Sequence, residues 1–268
     1  LRTTSNPAFK NLPSGGGYAN FNYGQGQPAA AGGTFGQAPS APAQTGRPMT
    51  IDDVVTKTAI TLAIAVATGV ATYVVGGASS VMLALPAAIV GLVIALVIVF
   101  RKKVSPGLVI AYSAVEGVFL GGISYLFGVL VAGNPAIIAQ AVAGTIGVFA
   151  GMLVVYKTGA IRVTPKLTKW IIGAIAGVLV LMLVNLVASF FTEGGLGLRD
   201  GGPMAIAFSL LCIGIAAFSF LLDFDAADKM IKSGADAKLA WYVAFGLMVT
   251  LVWLYLEILR LLSYFQNN

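Results

Sequence analysis

Two glutamates, Glu116 and Glu257, stand inside long apolar runs. Carboxylates so placed bind cations or exchange protons. A charge at the centre of a bilayer costs at least about 2.5 kcal/mol on insertion scales, so each one needs a reason. Glu257 is followed three residues later, on the same helical face, by Arg260, and an ion pair between them is one such reason. Glu116 has no ionic partner nearby in the chain, and Ser113 is the nearest polar residue on its face. Three states would suit it: protonated, beside a wet cavity, or paired with a charge on another helix.

Asp223, Asp225 and Asp228 cluster at the end of another apolar run, followed by Lys229 and Lys232. They read either as a solvated, charge-balanced edge or as an oxygen-rich entrance for a cation. Calcium takes about six to eight oxygen ligands. Three carboxylates with the free carbonyls of a helix end would supply several, which makes a weak calcium site. Their spacing is not that of an EF-hand loop.

Much other chemistry is excluded. The chain has no histidine, which removes the commonest general base and the commonest metal ligand together. Its one cysteine, Cys212, lies in an apolar run, so no intrachain disulfide can form. A serine intramembrane protease would want histidine beside its serine. An aspartyl one would want two aspartates facing each other from different helices. No glycine-rich loop carries the Lys-Ser/Thr signature of a phosphate cradle. The expectation is a protein that is not an enzyme and holds no cofactor, with calcium possible as a transported ion.

The elements that position these residues follow from composition. Of 268 residues, 58% are hydrophobic and 10% charged, against roughly a quarter charged in soluble domains. A helix needs roughly 20 apolar residues to cross about 30 Å of hydrocarbon, and runs of that length recur. Residues 1–48 differ: they are rich in Gly, Pro, Ala, Gln and Asn, with no stretch resembling a signal-peptide core. They read as a disordered tail.

The fold expected is an all-α integral membrane protein, a bundle of seven transmembrane helices over residues 49–268. Thr50 caps the first span, with Asp52 and Asp53 at the positive end of its dipole and Met49 and Val54 placed for a hydrophobic staple. That span runs to about Val75 and stops at Gly76-Gly77. The others cover about Val81–Phe100, Gly107–Val131, Pro135–Tyr156, Trp170–Phe191, Pro203–Leu222 and Leu239–Phe265. Gly117 with Gly121, Gly147 with Gly151, and Gly173 with Gly177 have the spacing that lets helix backbones approach.

Orientation follows from the basic residues. Of 16 Lys and Arg, 14 fall on one set of alternate segments if the N-terminus is cytoplasmic; Arg199 alone lies in an outer loop, and Arg260 is within span seven. The expectation is a multi-pass plasma-membrane protein, N-terminus inside and C-terminus outside. The net charge of +6 is scattered between apolar runs rather than gathered on one face, so no nucleic-acid partner is expected.

The chain resembles the Bax-inhibitor-type family, the transmembrane Bax inhibitor motif proteins, in its bacterial branch. The residues that carry the likeness are Ser5-Asn6-Pro7-Ala8-Phe9, Glu116-Gly117-Val118-Phe119-Leu120-Gly121, the acidic end of span six, and Leu254-Tyr255-Leu256-Glu257-Ile258-Leu259-Arg260-Leu261-Leu262. The resemblance implies a seven-helix bundle acting as a pH-sensitive calcium leak in a bacterial inner membrane. It is gated by two acids, from the end of the sixth helix and the interior of the seventh, that share one proton. By position these are Asp225 or Asp223, and Glu257. The chain departs from the pattern in having Glu rather than Asp in span seven and Arg260 where Asn is usual. If span seven enters the membrane at Trp241, Glu257 lies about 24 Å from the inner edge. The pair then requires extra turns at the start of span seven or an outward displacement of span six.

The reading is a cation leak, with calcium as the ion, biased by protonation of its acids. Its rival, also implied by the resemblance, is a non-conducting protein that modulates a membrane-bound ATP-dependent protease. Deleting residues 1–48 should abolish the rival's function and spare a channel. Whether Glu116 and Glu257 face one internal cavity discriminates the two: if both point into dry, fully packed helix contacts, the channel loses its physical basis.

Overall fold

The computed structural model describes residues 46–101, 105–192 and 194–267. Most of the expected tail, residues 1–45, and two of the orienting lysines, Lys102 and Lys103, lie outside the described residues.

The described residues form seven α-helices: α1 (Ile51–Gly76), α2 (Ser80–Phe100), α3 (Pro106–Tyr125), α4 (Ala136–Thr158), α5 (Pro165–Ala188), α6 (Pro203–Lys232) and α7 (Ala240–Asn267). A π-helical turn, Leu126–Val131, prolongs α3 to the expected end of span three. Proline opens α3, α5 and α6, where its missing N–H leaves no bond unmade. Gly159, at φ +70°, ends α4 in the left-handed conformation that glycine adopts without penalty.

At the head of α1 the cap goes further than a dipole effect. Thr50 accepts from the Asp53 N–H at 3.3 Å, and the Asp53 carboxylate accepts from the Thr50 N–H at 3.1 Å, a reciprocal capping box. Arg47 and Lys57 both reach the same carboxylate, at 2.7 and 2.9 Å. The chain before the cap is fastened to the α6–α7 loop: Met49 N–H donates to the Ala235 carbonyl at 2.7 Å and Ala237 N–H to that of Arg47 at 3.0 Å. Met49 and Val54 are buried in one cluster with Phe220, Phe224 and Val243. Thr50→Ala is expected to lower stability by about 1 kcal/mol, read as an earlier thermal unfolding of the detergent-solubilised protein; an unchanged transition would mean that the cap is dispensable.

Six helical stretches are long and apolar enough to cross a membrane, one fewer than the seven spans expected. The difference lies at Ile51–Phe100, a continuous stretch of 50 residues. Straight, it would extend about 75 Å, far beyond a bilayer. Its contacts show a hairpin. Ala65 and Thr68 meet Gly117, and Gly69 and Thr72 meet Gly121, so α1 runs parallel to α3. Along α2 the order reverses: Ser80 and Ala84 meet Gly122, while Gly91 meets Glu116. The reversal takes place over Gly77–Ser79, where Gly77 has φ +48°.

Of the three glycine pairs, only Gly117/Gly121 is used for close packing. A Cβ on Gly117 would collide with Thr68 and the Ala65 carbonyl; one on Gly121 would lie 2.8 Å from Thr72 Cβ. Gly147, Gly151, Gly173 and Gly177 have no atom within 4 Å of the corresponding position.

Helix α7 is central, packed by α1, α3, α4 and α6, and 67% of its apolar window is buried. At the periphery, α2 and α5 turn large apolar side chains outward, among them Leu85, Leu92, Leu179 and Val187. Such faces suit lipid. Helix α6 runs ten residues past Leu222, where the apolar pattern ends. Ion pairs at one-turn spacing, Asp225 with Lys229 and Asp228 with Lys232, each 2.6 Å, line that extension.

Candidate functional site: buried carboxylates and their partners

The extension of α6 decides the fate of the aspartate cluster. Successive helical residues are turned by about 100°, so Asp223 and Asp225 point to nearly opposite sides. Asp223 turns to α7 and accepts from the Thr250 hydroxyl at 2.7 Å. Asp225 and Asp228 turn to their lysines. Among the described residues no group of three or more acidic, Cys or His side chains is placed to hold a metal ion. Among the described residues the weak calcium site expected of Asp223, Asp225 and Asp228 together is therefore not formed; it presupposed a helix end where the helix continues to Lys232.

Glu257 is fully buried and doubly paired. The local partner, Arg260, donates from Nη1 at 3.0 Å. The second is Arg199, from the loop between α5 and α6, which grips both carboxylate oxygens at 3.0 and 2.9 Å. Its guanidinium also lies over the Phe208 ring, 5.2 Å from the centroid. A fork of two parallel N–H donors on one carboxylate is the strongest form of this contact.

The structure does not bring Glu257 to Asp223 or Asp225. Thr250, which meets Asp223, precedes Glu257 by seven residues, about 10 Å along the helix axis. Opposite Asp223 the α7 positions are Gly246 and Thr250, so no second carboxylate is available there. The proton-sharing pair that the resemblance implied is absent, and the reason is the depth already set by the α7 register.

Glu116 is buried on α3 against α2, where a Cβ on Gly91 would come within 2.9 Å of its Oε2. Its polar neighbour on α3 is Tyr112, one turn earlier, rather than Ser113. Ser113 instead bonds the Val109 carbonyl and the Met248 sulfur.

Two cavities matter to this arrangement. One, of about 420 Å³, lies between α5, α6 and α7 and is lined by Arg199, Arg260 and Glu257 among others. The other, about 570 Å³, is mainly apolar, between α1, α3, α4 and α7, with Tyr255 bonded to Ser124 at 2.7 Å on its wall. Glu116 lines neither, so the two glutamates face no common cavity.

Sequence reasoning missed Arg199, Thr250 and Tyr112. The signal for Arg199 was its isolation as the one basic residue in the loops assigned to the outer face. For Tyr112 it was the four-residue spacing to Glu116.

Fold and site together define a multi-pass helical membrane protein whose interior acids fall into two kinds, those neutralised by a basic side chain and those with no cation beside them among the described residues. The chain belongs to the Bax inhibitor 1 like family, which it matches over residues 6–267. A comparison with curated proteins gives no match.

Proposed function

We propose that this protein is a cation leak pathway, with calcium as the favoured ion, controlled by protonation of an acid in the membrane domain. No bond is made or broken in this role. The observation that carries it is Asp223: a half-buried carboxylate whose side-chain partner is the neutral Thr250 hydroxyl, with no cation beside it among the described residues. The charged groups nearest in sequence, Asp225 and Asp228, are taken up by Lys229 and Lys232. A carboxylate partly withdrawn from water without a counter-ion carries a desolvation cost, and a proton or a metal cation relieves it. Oxygen is also the ligand type that calcium prefers. Glu116, likewise without a cation, is the second candidate on this reading.

Glu257 is reassigned. Held by two guanidiniums, it is a structural anion rather than a sensor, and the sensing role passes to Asp223 first, with Glu116 as the second candidate. The basic residues of the intervening segments support a plasma-membrane orientation with the N-terminus inside.

The sign follows from the charge. Ionised Asp223 attracts cations and protonated Asp223 does not, so flux should rise with pH. Calcium uptake into liposomes carrying the purified protein, from about pH 5 to about pH 8, tests this. Wild type should show that rise and Asp223→Asn should flatten it. Background flux in both, with folded protein, would remove the reading.

The non-conducting alternative has one observation in its favour, the lack of a common cavity for Glu116 and Glu257. On that reading the working part is the segment before Gly46, and a membrane-bound protease is the partner. Deletion of residues 1–45 would then abolish function, whereas a leak should survive it.

A further inference from the structure

Among the described residues, the cavity between α5, α6 and α7 holds more positive charge than the one carboxylate lining it cancels. Two guanidiniums, Arg199 and Arg260, face Glu257 alone. Asp200, next to Arg199 in sequence, does not restore the balance: it is exposed and turned into its own loop, accepting from the Gly202 N–H at 3.0 Å. Arg260 lines the cavity and spends one donor on Glu257, its guanidinium lying 5.6 Å from the centroid of the Phe127 ring, with no further side-chain hydrogen bond among the described residues. Asn185, on the opposite wall, has its amide oriented by the Leu196 N–H, which donates to Oδ1 at 2.9 Å, so its NH2 group is free to donate. Excess charge with uncommitted donors on two walls is the recognition chemistry of a phosphate anion.

The place of the site says what carries that phosphate. Arg199 belongs to the α5–α6 loop, four residues before α6 begins, and Asn185 and Ser189 stand at the end of α5. The recess therefore lies at the end of the bundle that carries this loop, away from the α6–α7 loop. Leu186, on the rim beside them, is 55% exposed, and neighbouring positions of α5 carry outward apolar side chains. A polar, positive recess opening onto an apolar flank fits an amphiphile better than a free ion.

We propose that this cavity binds the phosphate headgroup of an anionic phospholipid, with its acyl chains along α5. The inference stands apart from the leak reading, since it rests on neither Asp223 nor Glu116.

Trp253 lines the cavity and reports on it. In the full chain carrying Trp170→Phe and Trp241→Phe, Trp253 is the only tryptophan. Its fluorescence is followed in mixed micelles against brominated phosphatidylglycerol or brominated phosphatidylcholine. One excess basic charge should make the anionic lipid quench at roughly fivefold lower mole fraction. Arg260→Lys should keep that preference. Arg260→Gln, which leaves Glu257 its two bonds to Arg199, should bring the two lipids level. Equal quenching by both lipids with Arg260 in place overturns the proposal, whatever the variants do. Displacement of the anionic lipid by millimolar inorganic phosphate would equally overturn it, by assigning the site to the free anion.

Discussion

Glu257→Gln is expected to destabilise the protein by about 3 to 5 kcal/mol, the range for breaking a buried ion pair from one side. The carboxylate is 1% exposed and receives three charge-assisted hydrogen bonds, two from Arg199 and one from Arg260. Removing its charge leaves two guanidiniums facing each other in a recess with apolar walls. Arg260→Gln is much milder, because the fork between Arg199 and Glu257 survives. Thermal unfolding in detergent distinguishes the two: a transition for Glu257→Gln far below that of Arg260→Gln is the expected order. Similar transitions for both would mean that the α5–α6 loop is not anchored through this carboxylate.

Gly117→Leu should cost about 3 kcal/mol or more, at the upper end for overpacking. The first added carbon would meet the Ala65 carbonyl and the Thr68 side chain, and neither can withdraw without shifting α1 from α3. A leucine at Gly147 or Gly173 meets nothing within 4 Å of its Cβ. It should leave stability within about 0.5 kcal/mol of wild type, as surface substitutions do. The three variants share one change of residue type, so the contrast isolates packing. Equal losses at all three would contradict the parallel α1–α3 contact.

How far the sequence disclosed this arrangement depended on how local each determinant was. The start of α1 was legible because Thr50, Asp53, Met49 and Val54 act within one turn of each other. So was the pair of Glu257 with Arg260, which helical spacing alone brings together. Arg199 reaches Glu257 across 58 residues, a contact that periodicity cannot encode. The aspartate cluster was misjudged for a different reason. Hydropathy ends at Leu222, but helix formation does not, and the spacing of Asp225 to Lys229 and Asp228 to Lys232 already marked an exposed helical face. Once the helix is continued, its rotation disperses the three carboxylates. The glycine pairs show the same limit from another side: identical spacing, with a partner helix present for one pair and open space for the other two.

The family resemblance was right about membership and fold; the two acids it implied are not in contact in the structure. It assigned a sensor by position in the chain. The structure gives Glu257 two arginines, and leaves Asp223 facing Gly246 and Thr250 instead of a second acid. The leak reading therefore turns on which carboxylate withdrawn from water lacks a counter-charge among the described residues, not on which one stands deepest in α7.

That claim has a direct measurement. Calcium flux in liposomes is compared between Asp223→Asn and the double variant Glu257→Gln, Arg199→Gln, which removes one charge of each sign and so preserves the net charge of the cavity. The account predicts that the double variant keeps the rise of flux with pH and that Asp223→Asn loses it. A double variant with flat flux beside an Asp223→Asn protein that still responds to pH would contradict the account and return the sensor to Glu257.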